Sequence, residues 1–351
     1  MVRSVAATMM LGAGVLAVMA AAPAVAADPT GSPGPSMVPV ATRLQATIPV
    51  EGSPDWPVVA FGSVWVLAPD LPLHGVGTPM LVRIDPATNT VVSTIELPDR
   101  LCQGIVATDD AIWACAKDAL VRVDPTTDAI TDLVPVKGAT GGYRLAWGDG
   151  SVWSFGSTTF NADTVVRLDP ATGTVTTYPL PATAGGMAYA FDALWVTIPD
   201  QGLVSRLDPA TGDLTPVIAG PTGVAQIVAG EADLWVSLYG EPLSMYPSDG
   251  AAVAVAGDPQ VARVATDGTL RALIPIGASG RGGVDLAADG PDVLVRNTSP
   301  WLARIDGATN AVVDQVTSEP DIDPIQGPLA LGFDSIWTVN IEQNAVYRLA
   351  P

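Results

Sequence analysis

The chain has 351 residues, 48% of them hydrophobic, and a formal net charge of −20 from 36 acidic residues against 16 basic ones. That apolar fraction is enough for a sizeable core, while the acidic excess argues against nucleic acid or an anionic membrane as a partner, since both need a positive surface. Two cysteines and a single histidine, His74, leave no material for a disulfide framework or a histidine-rich zinc centre.

Residues 1–27 carry one positive charge, Arg3, ahead of a long apolar run that ends in Ala24-Val25-Ala26-Ala27. This is the layout of a secretory signal peptide cleaved after Ala26 or Ala27, the alternative being a membrane anchor. Its removal leaves 15 basic residues against 36 acidic ones, a balance of −21. The mature chain is then expected outside the cytoplasm, secreted or periplasmic, with no membrane span. Residues 28–40 (DPTGSPGPSMVPV) hold too little apolar content to pack and are expected to form a flexible linker.

Beyond residue 40 one unit recurs to the C-terminus. Residues 148–175 show it in full: a tight turn G-D-G, the run S-V-W, then V-V-R-L-D-P-A-T-G-T-V. Its tryptophan position is filled by Trp65, Trp113, Trp153, Trp195, Trp235, Leu294 and Trp337, at spacings of 48, 40, 42, 40, 59 and 43 residues, the length of a four-stranded propeller blade. Each copy also carries an arginine: Arg83, Arg122, Arg167, Arg206, Arg263, Arg304 and Arg348. Short β-branched runs bounded by Gly, Pro, Asn and Asp are strand and hairpin punctuation. The runs flanking the tight turn are strands A and B, the arginine run is strand C, and the Asp-Pro-Ala-Thr-Asn/Gly turn returns the chain as strand D.

The expected fold is therefore all-β, a seven-bladed β-propeller of four-stranded antiparallel blades over residues 41–351. The last copy stops after its arginine strand, so residues 43–50 are expected to supply its missing strand D and close the ring. Asp85, Asp124, Asp169, Asp208 and Asp306 follow their arginines by two residues, on the same strand face, and are expected to be the arginines' structural partners. The tryptophans are expected to fill the core between blades. Cys102 and Cys115 flank the Asp109-Asp110 turn of the second copy within a short step of facing each other. In an exported chain this points to a disulfide ahead of a metal or redox site.

Written as S-V-W-V followed by V-R-I-D-P-A-T-N-T-V-V-S-T-I, the repeat closely resembles those of the bacterial YVTN-type propellers and the related virginiamycin B lyase-like propellers, over essentially all of residues 41–351. The lyase resemblance implies a magnesium-assisted, ring-opening elimination on a cyclic antibiotic, with a histidine base late in the chain. Here the one histidine falls in the first copy. No G-x-S-x-G, H-E-x-x-H, phosphate loop or C-x-x-C is present either, so no catalytic residue, metal or cofactor is assigned. The expected function is a monomeric binding or interaction module, with a lyase-like enzyme performing eliminative ring opening as the alternative.

In a propeller the B-to-C loops and the blade-to-blade connections share one face, and here they vary: anchor and arginine lie 9 residues apart in the second copy, 18 in the first and 28 in the fifth. Irregular loops on a rigid scaffold are where function is usually carried. Trp56, Gln103, Tyr143, Arg144, Gln226, Arg281, Asp285 and Gln326 lie at or near the start of a strand A without belonging to the repeat. They are expected to ring the channel mouth, either as a site for a protein or a small polar or anionic ligand or as simple hydration of the mouth. His74, Tyr239 and Tyr246 lie in the two large insertions and are assigned to a lid or partner contact.

Overall fold

Strands A and B read as nearly continuous apolar runs, such as Ser63–Ala68 (SVWVLA), because they are covered on both faces. Strands D are exposed along most of their length, as in Thr90–Glu96, so burial falls off from the axis outward. The computed structural model describes residues 34–68, 78–98, 101–116, 118–136, 145–156, 162–219, 223–238, 259–277, 285–297, 300–319 and 327–351, without the side chains of 101–103 and 219. Among the described residues the strands form seven antiparallel four-stranded sheets in the order A-B-C-D, one of them extended by a fifth strand. The seven innermost strands are Asp55–Ala60, Leu101–Ala107, Ala146–Gly148, Met187–Ala190, Val224–Ala229, Asp285–Asp289 and Leu329–Gly332. Each touches the next, and the last touches the first. The protein is an all-β, seven-bladed propeller.

Closure follows the expected route. Strand β1 comprises Ser36–Pro39 and β2 comprises Leu44–Pro49. β2 pairs antiparallel with Ala345–Leu349, setting Ile48 opposite Val346, and so supplies strand D of blade seven. Residues 36–39, placed by composition in a flexible linker, instead pair in parallel with Ala311–Thr317 and become a fifth strand on blade six. Arg43 fastens the turn that follows through a 2.5 Å ion pair with Asp314. Val40 is fully buried in the cluster between blades six and seven, beside Trp301 and Leu329.

Seven apolar clusters lie at the seven blade-to-blade interfaces. Each anchor points into the interface with the following blade: Trp65 meets Ile105, Ile112 and Val123 of blade two, and Trp337 meets Val64, Val82 and Ile84 of blade one. Across the sheet each anchor is paired with its repeat arginine, from Trp65 with Arg83 to Trp337 with Arg348. Guanidinium groups lie 5.0–5.3 Å from the indole centroids in blades one, three, five and seven, within cation–π range. Where blade six has Leu294 in place of tryptophan, Trp301 of its strand C side occupies the same interface.

The arginines do not pair with the aspartates two residues ahead, as the spacing alone suggests. Arg83 donates instead to the carbonyl of Pro125 (3.1 Å) and to Asp128 (3.0 Å), both in the C-to-D turn of the next blade. Arg167 reaches Pro209 (2.9 Å), Arg263 reaches Gly307 and Asn310, and Arg348 of blade seven reaches Pro86 and Asn89 of blade one. The aspartates serve their own turns. Asp85, Asp124, Asp169, Asp208 and Asp306 each accept a backbone N–H two residues on, at 2.7–2.9 Å, the local bond that makes Asp favourable at a turn. The fourth residue after each aspartate has left-handed φ, as Asn89, Asp128, Gly173, Gly212 and Asn310 show.

These turn bonds hold several carboxyls below the usual value of 3.8. The largest cause is the Thr126 N–H at Asp124, the Thr172 hydroxyl at Asp169, the Thr269 N–H at Asp267 and the Thr309 N–H at Asp306. A carboxyl with a folded-state pKa below its unfolded one stabilises fully above the unfolded value, and the contribution is lost as pH falls through the folded one.

Unfolding free energy should be flat above about pH 5 and decline below about pH 4, and Thr172→Val should move the Asp169 carboxyl titration upward in NMR. Arg83→Ala, which severs the bonds to Pro125 and Asp128, should cost about 1.5–3 kcal/mol in chemical denaturation. Deleting residues 1–39 should change the thermal midpoint little, because hydrogen bonds worth about 1 kcal/mol each are offset by a similar ordering cost per residue. Deletion through residue 50 should bare the edge at Ala345–Leu349 and drive aggregation in light scattering.

Candidate functional site

Because strand B runs back against strand A, the start of every strand A lies on the face that carries the B-to-C loops. On that face the inner strands depart from regular pairing in three blades. Register shifts fall between Asp55 and Pro57, between Leu101 and Ile105, and between Val224 and Ile227. These irregularities hold Trp56, Gln103 and Gln226, three of the residues singled out because the repeat does not require them. A bulge re-aims the side chain it carries, and bulges are concentrated beside functional sites.

Trp56 has φ of 20°, outside ordinary strand geometry; it is buried and its N–H donates to Asp55 Oδ1 at 3.0 Å. The backbone of Gln103 lies within the blade-two irregularity. Gln226 is 9% exposed; its N–H donates to Ser237 Oγ (2.9 Å) and its carbonyl accepts from the same hydroxyl (3.5 Å). Asp285, also buried, opens strand A of blade six and accepts the Leu329 N–H of blade seven at 2.7 Å, tying the two inner strands together. Its register partner is Arg296, a buried arginine stacked 3.9 Å over Trp301 and donating to the carbonyls of Asn297 (2.6 Å) and Trp301 (2.8 Å). Tyr143, Arg144, Arg281, Gln326 and His74 lie outside the described residues, as do Tyr239 and Tyr246.

A second set of residues fixes the starts of the inner strands and was not apparent from the sequence. Thr197, Ser237 and Thr338 bond the backbone eleven residues earlier, at Gly186, Gln226 and Gly327. Thr197 Oγ1 also donates to Ala225 of the next blade at 2.5 Å. The available signal was a hydroxyl residue one or two positions after the anchor tryptophan in four of the copies, Ser154, Thr197, Ser237 and Thr338. Gly186 is required by this closeness: a Cβ there would stand 2.8 Å from Ala225 O and 3.2 Å from Gln226 Oε1. Asp55 was likewise passed over, although it directly precedes Trp56.

In blade two Cys115 is buried and disulfide-bonded, and no cysteine among the described residues is free. Extending the Leu101–Ala116 pairing by one step sets position 102 opposite position 115, beside the irregularity that holds Gln103. Among the described residues no group of three or more His, Cys, Asp or Glu could hold a metal ion, and no helix is long and apolar enough to cross a membrane.

Ser237→Ala should remove the tie on the blade-five bulge and cost about 1–3 kcal/mol, with amide exchange at Gln226 accelerating before that of Trp235.

No protein-family model matches the sequence, and no curated protein matches it. Solved structures do. The β-propeller domain of Myceliophteria thermophila Cps50 (Swd1) is 13% identical over 88% of this chain and 99% of that one, with a TM-score of 0.65. The WD40 β-propeller domain of Doa1 is 12% identical over 88% and 96%, with a TM-score of 0.65. Hydrazine synthase of Kuenenia stuttgartiensis is 11% identical over 85% and 96%, also at 0.65. At these identities the likeness is one of fold, that of a β-propeller.

Proposed function

We propose that this protein is an exported binding module whose working surface is the loop face at the channel mouth. The observation that carries the proposal is the set of irregularities at Trp56, Gln103 and Gln226, where three innermost strands break regular pairing at their loop-face ends. On the opposite face the C-to-D turns are engaged in blade-to-blade bonding through the repeat arginines. Export is supported by the apolar, alanine-ended N-terminus and by a disulfide at Cys115. The partner is a protein or a small polar or anionic ligand, bound by a monomer. The net charge of −20 argues against nucleic acid.

Arg144 and Arg281 are cations that the repeat does not need, close in sequence to the starts of strands A of blades three and six. Together with Tyr143 and Gln326 they supply the forked and stacking contacts that suit a planar polar or anionic group. The resemblance of the repeats to virginiamycin B lyase-like propellers supplies the second reading, ring-opening elimination.

The test is capture of the partner from culture medium with the mature chain, followed by Arg144→Ala with Arg281→Ala. Affinity should fall about tenfold to a hundredfold, or about 1.4–2.8 kcal/mol, with the unfolding midpoint unchanged, whereas Arg83→Ala should lower stability instead. Undiminished affinity in the double variant would remove the loop face from consideration. Magnesium-dependent opening of a streptogramin-type depsipeptide, lost in His74→Ala, would establish the lyase reading in its place.

A further inference from the structure

We infer that Gln226 is the hydrogen-bond acceptor of a subsite for an uncharged N–H donor of the peptide-amide class. The inference rests on the working face proposed above and specifies what one part of that face recognises. Gln226 Oε1 is buried without a hydrogen-bond partner, although buried polar atoms are almost always satisfied. Neighbouring groups are already engaged. Gly186 donates its N–H to Thr197 Oγ1 (2.8 Å) and its carbonyl accepts the Thr197 N–H (3.0 Å). Ala225 O accepts Thr197 Oγ1, and the N–H and carbonyl of Gln226 itself are held by Ser237. With its backbone fixed and its neighbours committed, the side-chain oxygen is the acceptor left over.

The surroundings also select the donor. Val224 and Ile227 on either side are buried in the apolar cluster between blades four and five, and Ala225 in the one between blades five and six. A single neutral acceptor in such surroundings does not balance a full positive charge, whose burial is costly unless it is paired. An anion would set one acceptor against another. A neutral amide N–H satisfies Oε1 with no net charge to bury.

The experiment follows the Gln226 side-chain amide in 1H–15N spectra of the mature protein, assigned through Gln226→Met, while N-methylacetamide, acetate or methylammonium is added. A saturable shift is expected with N-methylacetamide and at least tenfold weaker responses with the two ions. Gln226→Asn, which withdraws the acceptor, should weaken the amide response at least tenfold, and Gln226→Met should unfold at no lower temperature than the parent. Absence of a saturable shift, or equal responses to amide and ions, would overturn the assignment and leave Oε1 as a hydrated group. The wild-type titration decides this even if a variant fails to fold. If the amide gives no shift while the Arg144 and Arg281 variants still lose their partner, the working face stands and the subsite falls. A shift without any effect of those variants leads to the reverse conclusion.

Discussion

The ring depends on a bond that leaves its own blade. Each repeat arginine rises from strand C beside the anchor of the neighbouring strand, and in blades one, three, five and seven its guanidinium is seen to end in the C-to-D turn of the following blade. The indole and the guanidinium therefore serve one interface together. The indole fills the apolar layer, and the cation covers its outer edge while satisfying carbonyls that a tight turn leaves bare. The turn must present those carbonyls in a fixed place, and the aspartate bonding its own backbone achieves this. Arginine, turn aspartate and left-handed residue thus form one device divided between consecutive blades. The link from Arg348 to the turn at Pro86 and Asn89 extends the device across the join of the ring.

Much of this was legible because it repeats. The spacing of anchors and arginines set blade number and strand order, and the truncated last copy implied that residues 43–50 close the ring. What was not legible has physical causes. Sequence proximity suggested that five of the arginines meet the aspartate two residues on, but the guanidinium is long enough to cross to the next blade, as it does from Arg83 and Arg167. The strand at Ser36–Pro39 escaped notice because a short parallel strand laid on an existing edge needs no alternation of its own, and S-P-G-P-S-M-V-P-V shows none. In blade six the missing indole is replaced by Trp301, which lies seven residues from Leu294 and so off the repeat position.

Of the candidate site, the choice of residues was legible by subtraction and their setting was not. Trp56, Gln103 and Gln226 were found because the repeat does not use them. That they occupy strand irregularities could not be read from spacing, since an extra residue in an inner strand is indistinguishable from a longer connection before it. The hydroxyls of Thr197 and Ser237 restrain the start of the blade-five inner strand at Ala225 and Gln226, so the residue singled out there sits on fixed backbone. Change on one face is thereby separated from the bonding that maintains the other.

The contribution of β2 to blade seven affects the order of assembly. Its partner is a strand far along the chain, as the pairing of Ile48 with Val346 shows, so a segment made early waits for one made much later. The entropic cost of joining such distant segments grows only logarithmically with the length between them, but the search is slow compared with local pairing. Until the C-terminal strands exist, the ring stays open and its termini unpaired. The topology itself thereby postpones closure of the ring until the strand at Ala345–Leu349 has been made.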